Sequence, residues 1–270
     1  MNTTTVSSSA PKALVTGASS GIGAIYADRL ARRGYDLVLV ARNATRLAAV
    51  AERITAATGR SVEVVPADLS AATDRLRVED RLRSDSSIEL LVNNAGFGAV
   101  APLLQSSADT MEEMVDLNVT ALMRLTYAAV PGFVARGRGT VINISSIVAI
   151  SPELMNGVYG ASKSFVLTFT QSLDHELHDK GIRVQAVLPG ATATEFWDVA
   201  GLAHDNLPAG WVMKAEALVD AALAGLDAGE VVTIPPLQDG ADWDRYEAAR
   251  KTFQGKFANS QPGPRYLETV

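Results

Sequence analysis

The sequence predicts one α/β domain built around a parallel sheet. Short apolar runs alternate with helical patterns along most of the 270 residues, which is typical of strands joined by helices. The first apolar run leads directly into a glycine-rich turn and then into a helical pattern. After a Thr/Ser-rich start, no linker, internal repeat or low-complexity block divides the chain, so we predict a single domain.

The first half of the chain holds three strand–helix units followed by a fourth strand. Apolar runs predict strands at 12–16, 36–41, 62–65 and 89–93. Helical patterns run from the glycine turn to Arg33, from Asn43 to Thr58 and from Ser70 to Arg83. Gly34 is placed to end the first helix and Asn43 to begin the second, because glycine and asparagine favour these positions.

The second half continues the same alternation. Helical patterns cover 107–136 and the stretch from Tyr159 to Lys180, and strands are predicted at 140–145, 183–188 and about 230–234. Residues 191–213 are irregular and rich in large apolar side chains. We therefore place the domain at 12–240, after a flexible tail at 1–11 and before a separate C-terminal segment at 241–270.

The composition argues against several classes of function. A net charge of −6 and a pI near 5.2 disfavour a nucleic-acid partner. No apolar run approaches the ~20 residues of a membrane-spanning helix, and the polar start lacks a secretory signal, so we expect a cytoplasmic protein. The chain has no cysteine and three histidines (His175, His178 and His204), and we expect no metal site.

A tyrosine and a lysine near the start of the helical pattern at 159–180 are candidates for proton transfer. Tyr159 and Lys163 are four residues apart and share one helix face. An ammonium within ~4–6 Å favours the phenolate and would lower the tyrosine pKa. Ser146 follows the apolar run at 140–144, where its hydroxyl could hold a carbonyl oxygen. The alternative is that Tyr159 and Lys163 belong to an ordinary solvated helix face.

The glycine turn after the first strand is a candidate phosphate-binding loop. Glycines let the backbone approach a pyrophosphate, whose charge is met by the N–H groups of the following helix. The spacing here is G-x-x-x-G-x-G over Gly17, Gly21 and Gly23, which departs from the common G-x-G-x-x-G pattern. A purely structural turn remains the alternative.

Together these features resemble the classical short-chain dehydrogenase/reductases. The resemblance is carried by TGASSGIG at 16–23, NNAG at 93–96, Asn118, Ser146, Tyr159-x-x-x-Lys163 and Pro-Gly at 189–190, and it spans residues 12 to about 195. It implies a Rossmann fold, a doubly wound parallel sheet of seven strands in the order 3-2-1-4-5-6-7. It also implies a nicotinamide cofactor bound across the carboxyl ends of the strands.

The resemblance assigns roles to four candidate catalytic residues. Ser146, thirteen residues before Tyr159, would orient the carbonyl, and the adjacent Ser145 would be structural. Tyr159 would donate the proton, and Lys163 would bind the nicotinamide ribose and lower the tyrosine pKa. Asn118 would hold a water of a proton relay, although it could also be a tolerated polar residue in a helix.

The resemblance also implies a set of cofactor contacts. They are Gly17, Ser19, Ser20, Gly21, Ile22, Gly23, Arg42, Asp68, Leu69, Asn94, Ala95, Gly96, Tyr159, Lys163, Pro189, Gly190, Thr192 and Thr194. Thr194 matches the residue that meets the nicotinamide carboxamide, with Thr192 as its nearby competitor. Asp68 and Leu69 match the pair at the adenine, but Asp68 could instead cap the next helix.

The end of the second strand favours NADP(H) over NAD(H). An acidic residue there would accept hydrogen bonds from the ribose, whereas this chain has Ala41 followed by Arg42. A guanidinium suits a phosphate. The family's other usual basic residue is missing, since Ser20 occupies its place, and a solvated Arg42 is the alternative.

The expected substrate is an apolar ketone or alcohol. The candidate pocket residues are mostly large and apolar, and none is cationic. They are Phe97, Ile147, Val148, Leu154, Met155, Phe196, Trp197 and Trp211. The function predicted is an NADPH-dependent carbonyl reductase that also runs in reverse as an alcohol dehydrogenase. The alternatives are an NAD-dependent hydroxysteroid or polyol dehydrogenase and a catalytically silent nucleotide-binding module.

The sequence also predicts that parts of the surface are buried by contacts with other copies of the chain. The apolar-rich helical stretches at 107–136 and 156–177, together with the resemblance, predict a homo-oligomer, either a tetramer or a dimer. In the C-terminal segment four aromatic residues recur at the spacing of one helix face, so we expect that face to be buried on the lid at 191–213 or on a neighbouring subunit. These residues are Trp243, Tyr246, Phe253 and Phe257. The alternative is ordinary packing on the flank of the monomer.

Overall fold

The structure, a computed structural model, describes residues 10–202 and 207–267. Most of the predicted N-terminal tail and His204 therefore lie outside the described residues. The chain divides into two compact units, residues 1–235 and 236–270. This boundary lies five residues before the boundary expected from the sequence.

The main unit is organised by a parallel sheet of apolar strands. Their residues are largely buried because helices cover both faces of the sheet, as expected for parallel strands. The strands are β1 (Lys12–Thr16), β2 (Asp36–Ala41), β3 (Val62–Pro66), β4 (Ile88–Asn93), β5 (Gly139–Ile144), β6 (Ile182–Val187), β7 (Thr192–Ala193), β8 (Met213–Lys214) and β9 (Val232–Thr233).

Seven of these strands form one parallel sheet in the order β3-β2-β1-β4-β5-β6-β9, and β7 pairs separately with β8. The predicted doubly wound sheet and its strand order are confirmed. The order reverses between β1 and β4, which is where ligands bind in open α/β sheets. Thr16 and Asn93 end these two strands, so the glycine turn and the NNAG segment begin side by side.

Helices cover the sheet on both sides. The helices of the main unit are α1 (Gly21–Arg32), α2 (Ala44–Thr58), α3 (Ala72–Ser84), α4 (Ala108–Val115), α5 (Leu122–Arg136), α6 (Gly157–Leu177), α7 (Phe196–Ala200) and α8 (Ala215–Asp227), and the C-terminal unit contains α9 (Gly240–Thr252). One buried cluster joins α1, α2 and α8 to the sheet, and a second joins α3, α5 and α6 to its other face. The two clusters fix the sheet between its helical layers.

The C-terminal unit differs from the sequence expectation. Helix α9 ends at Thr252, so Phe253 and Phe257 lie beyond it, near Gly255, a residue of low helix propensity. The prediction of one continuous helix face is therefore wrong. Tyr246, Phe253 and Phe257 are 48%, 52% and 75% exposed, whereas the sequence suggested burial.

Candidate active site

The glycine turn between β1 and α1 requires glycine at two positions for different reasons. Gly17 has φ +65°, in the left-handed region that other residues rarely adopt. A Cβ atom on Gly23 would lie 2.3 Å from the carbonyl oxygen of Gly17, so a side chain cannot fit there. The turn is tight because the start of α1 packs directly on the end of β1.

Asn94 and Thr16 brace this turn from the neighbouring strand. The Asn94 amide donates hydrogen bonds to the carbonyl oxygens of Thr16 and Gly17, at 2.9 and 3.2 Å. The Thr16 hydroxyl accepts from the backbone N–H groups of Asn94 and Ala95, at 2.9 and 3.0 Å. The NNAG segment and the glycine turn therefore form one rigid unit.

Asn93 belongs to the interior of the sheet rather than to the cofactor cleft. Its side-chain amide donates to Thr126 and to Asn143, which in turn donates to Thr170, all within 3.0 Å. These hydrogen bonds join β4, β5, α5 and α6 in the interior, although Asn93 Oδ1 has no hydrogen-bond partner among the described residues. Asn93 therefore has a structural role in the sheet.

The turn fits a dinucleotide pyrophosphate. Ser20 caps α1 without a side-chain hydrogen bond, and the first turn of α1 contains no acidic residue. Ser19, Ser20, Gly21 and Thr194 help to line a cavity of about 330 Å³ beside these N–H groups. The positive end of the α1 dipole therefore faces an open space that could hold an anion. Ile22 instead packs against the core.

The residues after β2 and β3 are those expected to contact the adenosine half of the cofactor. Arg42 is exposed, and it forms no ion pair with any other described residue. Asp68 does not cap α3, which begins at Ala72; its carboxylate accepts from the N–H of Ser70 at 3.0 Å. Leu69 is buried in the core, so a ligand would reach its backbone rather than its side chain.

Asn118 lies in a π-helical turn, Asp116–Ala121, between α4 and α5. The sequence predicted an uninterrupted helical pattern here, and such a π turn often marks a functional site. The Asn118 side chain accepts from Phe97 N–H at 3.1 Å and donates to Phe97 O at 2.9 Å and to Ser162 Oγ at 3.2 Å. A Cβ on Gly96 would approach Asn118 Oδ1 to 2.7 Å. Because Asn118 approaches so closely, residue 96 has no room for a side chain and is a glycine.

Two serines follow β5, and they point to different partners. The Ser145 hydroxyl donates to the Lys163 carbonyl oxygen at 2.7 Å, which ties β5 to α6. The Ser146 hydroxyl makes only long contacts, at 3.4 Å each, to Pro189 O and Val148 N–H, and it is close enough to the Tyr159 hydroxyl to oppose the rise in the pKa of that phenol. Ser146 is therefore the serine that remains available to a ligand, and Ser145 is structural.

Tyr159 and Lys163 lie on the buried face of α6, and the interpretation as a solvated helix face is wrong. They are 5% and 6% exposed. The Lys163 ammonium lies 5.8 Å from the centroid of the tyrosine ring and donates to the Ile144 carbonyl oxygen at 3.0 Å. Burial of a polar pair at the carboxyl edge of the sheet is costly, and such groups cluster at functional sites.

The pKa values correct one expectation. Burial raises the pKa of Tyr159 to about 12, and the contact with Ser146 only partly opposes this. Burial also lowers the pKa of Lys163 to about 8. The expected lowering of the Tyr159 pKa is wrong, because the removal of the phenol from water outweighs the favourable contact with Ser146.

An apolar cluster surrounds the Tyr159 ring. It contains Met114 and Val148, with Phe97, Met155 and Phe196 among the partly buried residues packed on it. Ile147 is partly buried at the end of β5. Leu154 and Trp211 are 59% and 71% exposed and are not brought into this cluster.

The lid segment is tied down on both sides of α7. The Trp197 indole N–H donates to Thr192 O at 2.8 Å, and Val100 N–H donates to Ala200 O at 3.2 Å. Arg46 of α2 pairs with Glu195 at 2.5 Å, although both side chains are more than half exposed. Thr192 is buried and bonds to Gly190 O, whereas Thr194 contacts the glycine turn.

Three residues of the site were missed by the sequence interpretation. Thr16 braces the turn, Ser162 bridges Asn118 to α6, and Gly98 contacts the Phe196 ring. The position of Thr16 at the end of a strand beside a glycine turn was a usable signal. Neither Ser162 nor Gly98 stands out in the sequence, because only tertiary packing brings each to its partner.

The described ranges 10–202 and 207–267 contain neither a membrane-spanning helix nor a metal-binding cluster. No helix in these ranges is both long and apolar enough to cross a membrane. The same ranges contain no group of three His, Asp or Glu side chains placed to bind a metal ion.

Comparison with known proteins connects this geometry to a family. The family model described as short chain dehydrogenase matches residues 11–203. A short-chain dehydrogenase from Sphingobium yanoikuyae in complex with NADPH superposes with a TM-score of 0.92 at 48% identity, covering 95% of this chain and 99% of that one. A bulky-bulky ketone specific alcohol dehydrogenase from Comamonas testosteroni superposes with a TM-score of 0.88 at 44% identity, covering 95% of this chain and 98% of that one.

A curated relative matches over a shorter range. The 17-beta-hydroxysteroid dehydrogenase type 3 of Rattus norvegicus is 34% identical over 184 residues, which are 67% of this chain and 60% of that protein. The match thus spans less than two thirds of the relative's length.

The family model alone covers well over half of the chain, and the braced glycine turn, the reversed strand order and the buried Tyr159–Lys163 pair agree with it. The chain belongs to the short-chain dehydrogenase family.

Proposed function

We propose that the protein is an NADPH-dependent oxidoreductase that reduces an apolar ketone or aldehyde to an alcohol, and that the reaction is reversible. One observation carries the proposal: the Tyr159 hydroxyl is buried beside Ser146, with Lys163 one helical turn away. A buried phenol next to a second hydroxyl is suited to donate a proton to a carbonyl oxygen as that oxygen gains charge.

In this mechanism the side chains divide the work. Ser146 donates a hydrogen bond that orients the carbonyl oxygen, and Tyr159 transfers its proton to that oxygen. The nicotinamide, when bound, supplies the hydride. Lys163 holds the ribose hydroxyls with its ammonium, and Asn118 positions a water beside Lys163. Oxidation of an alcohol uses the same groups in the opposite direction.

The preference for NADPH rests on Arg42. Its exposed guanidinium follows β2 where an acidic residue would select the unphosphorylated ribose, and it has no ionic partner among the described residues. A 2′-phosphate would supply that partner through charge-assisted hydrogen bonds. The similarity to a structure with bound NADPH supports this choice.

The preference for apolar substrates rests on the cluster around Tyr159. Phe97, Val148, Met155 and Phe196 contribute apolar surface to this cluster. Similarity to a bulky-bulky ketone specific alcohol dehydrogenase is consistent with such a pocket. Among the alternatives, hydroxysteroid oxidation is favoured by the similarity to the rat hydroxysteroid dehydrogenase.

A substrate panel tests this proposal. Apolar ketones, hydroxysteroids and polyols are offered with each cofactor, and NADPH or NADH turnover is followed. We expect apolar ketones to be reduced with kcat/KM at least about tenfold higher for NADPH, equivalent to about 1.4 kcal/mol. Equal use of both cofactors would refute the role of Arg42. Cofactor binding without turnover of any compound would instead favour the silent nucleotide-binding module.

We also propose that the protein is a cytoplasmic homo-oligomer assembled through α5 and α6. Tyr127 is 68% exposed and stacks on Phe169 at 6.4 Å, and Phe165 stacks on Phe169 at 5.6 Å. Such an aromatic patch is typical of a protein interface. Light scattering should give a dimer or tetramer that Phe165→Asp dissociates, whereas Leu76→Asp, at an exposed apolar position on α3, should not. A monomeric wild-type protein would contradict the assembly.

A further inference from the structure

The ring of Phe196 inserts end-on against Gly98. A Cβ atom placed on Gly98 would lie 2.4 Å from Phe196 Cζ and 3.1 and 3.3 Å from the two Cε atoms. Gly98 does not have a left-handed φ, so the backbone conformation does not require glycine there. The missing side chain is needed for space, and that space is filled by the far edge of a benzene ring.

The same ring lies beside the proposed proton donor. The centroids of Phe196 and Tyr159 are 5.9 Å apart with an interplanar angle of 46°, and Tyr159 is 5% exposed. A ketone that reaches the Tyr159 hydroxyl therefore brings one of its substituents toward the region that Phe196 occupies. A bulky substituent and the Phe196 ring cannot share this region.

The ties that hold Phe196 in place are few. It is the first residue of α7, a helix of five residues, and its ring packs against the edge of Trp197 at 5.5 Å. The Arg46–Glu195 pair next to it is more than half exposed on both sides, and such pairs contribute little. The hydrogen bonds of Trp197 and Ala200 hold the rest of α7, whereas no hydrogen bond with another described residue holds the Phe196 ring, so a ligand could displace the ring by a change of its side-chain rotamer.

We propose that the side chain of Phe196 fills part of the substrate pocket. The slot that it fills, between Gly98 and Tyr159, receives an aryl substituent of the ketone when substrate binds. The slot accepts a planar, apolar, six-membered ring, which is the group it already contains. A saturated ring is thicker and would meet the Gly98 backbone. This inference rests on the proposed carbonyl reduction and adds the substrate class.

Substitutions on the two sides of the slot should then act in opposite directions. The methyl group in Gly98→Ala fills the slot and excludes an aryl ring. Phe196→Ala removes the internal competitor and favours an aryl ketone. The double variant should lose part of the gain that Phe196→Ala gives for aryl ketones, because the added methyl group still occupies the Gly98 end of the slot. A general weakening of the lid would change all substrates alike.

The kinetic test compares kcat/KM for acetophenone, cyclohexyl methyl ketone and 2-butanone, with NADPH. For Gly98→Ala we expect the acetophenone to 2-butanone ratio to fall at least about tenfold, as one extra carbon in an apolar pocket can do. For Phe196→Ala the ratio should rise, and the wild-type protein should prefer acetophenone over cyclohexyl methyl ketone. Gly157→Ala, where a Cβ meets nothing within 4 Å, is the matched control.

A second test does not depend on turnover. Trp197 contacts the Phe196 ring edge, so its emission reports on the ring in a Trp211→Phe/Trp243→Phe background. Addition of 1-phenylethanol to the cofactor-free protein should shift this emission saturably, whereas 2-butanol should not. Gly98→Ala should show the shifted emission without any ligand, because its methyl group displaces the ring.

The outcomes separate this inference from the proposed function. Suppose that ketones are reduced but the acetophenone to 2-butanone ratio stays within about twofold of wild type in both Gly98→Ala and Phe196→Ala, a change of under 0.5 kcal/mol. The proposed aryl slot is then refuted, and the proposed reductase activity is retained. If no ketone is reduced, the proposed function fails, and the emission experiment still decides whether 1-phenylethanol displaces Phe196. An unchanged Trp197 emission with 1-phenylethanol would overturn the inference in either case.

Discussion

Replacement of Lys163 by methionine should remove a pH-dependent destabilisation of the cofactor-free protein that is largest at neutral pH. Lys163 is 6% exposed, and burial lowers its pKa from 10.5 to about 8. The unfolded state therefore binds more protons than the folded state between pH 8 and 10.5. The cost of the buried charge is fully present below pH 8, decreases as the pH rises and is gone above 10.5.

The size of the effect follows from the pKa difference. Each pH unit between about 8 and 10.5 corresponds to 1.36 kcal/mol, so the full penalty is about 3 kcal/mol. Methionine has a similar length and no charge to desolvate. It also leaves the Ile144 carbonyl oxygen without its donor, which costs about 1–3 kcal/mol at every pH. The pH dependence, rather than the absolute difference, is therefore diagnostic.

Urea denaturation of both proteins at intervals from pH 7 to 10.5 measures this dependence. We expect the free energy of unfolding of Lys163→Met minus that of wild type to fall by about 3 kcal/mol across this range. The pKa of Tyr159 in the folded protein is about 12, above the range of this titration, so its ionisation in the folded state contributes little to the difference. Lys180→Met, at an exposed position, is the matched control. A difference that stays flat for Lys163→Met would refute the argument that burial of the ammonium is costly.

Three further changes test other parts of the site. Arg42→Ala should weaken NADPH binding by about 1–3 kcal/mol and leave NADH binding nearly unchanged, as measured by titration calorimetry; equal losses would contradict a phosphate contact. Gly23→Ala places a Cβ atom 2.3 Å from Gly17 O, so it should abolish binding of both cofactors. The control is Gly34→Ala, whose Cβ atom meets open space. Because Gly34 has a φ of +95°, this control should lower stability without affecting cofactor binding. Truncation after Pro235 should lower the oligomeric mass if another copy of the chain covers the aromatic residues of the C-terminal unit; an unchanged mass would show this unit to be dispensable for assembly.

The strands and the glycine turn could be predicted because local chemistry decides them. The alternation of apolar runs with helical patterns predicts a parallel sheet, and the glycine turn is recognisable beside β1. The helix boundaries were less accurate, since capping depends on neighbours. Asp68, for example, bonds to Ser70 N–H, and α3 starts four residues after it.

The features that could not be predicted depend on long-range packing. Asn118 was recognised as unusual in a helical pattern, but the π turn that presents it is set by contacts with Phe97 and Ser162. The pKa of Tyr159 was expected to fall because a nearby lysine was visible in the sequence, whereas its burial was not. Likewise, the contact of Phe196 with Gly98 joins segments about a hundred residues apart.

The central claim is that the Tyr159 hydroxyl donates the proton, and Tyr159→Phe tests it most directly. The variant removes one oxygen atom from a buried ring and keeps the packing with Phe196. Single-turnover reduction of the best ketone by NADPH, with NADPH affinity measured in parallel, separates chemistry from binding. We expect loss of at least about a hundredfold in rate, typical of a positioned general acid, with cofactor affinity nearly unchanged. A rate within about tenfold of wild type would contradict the mechanism.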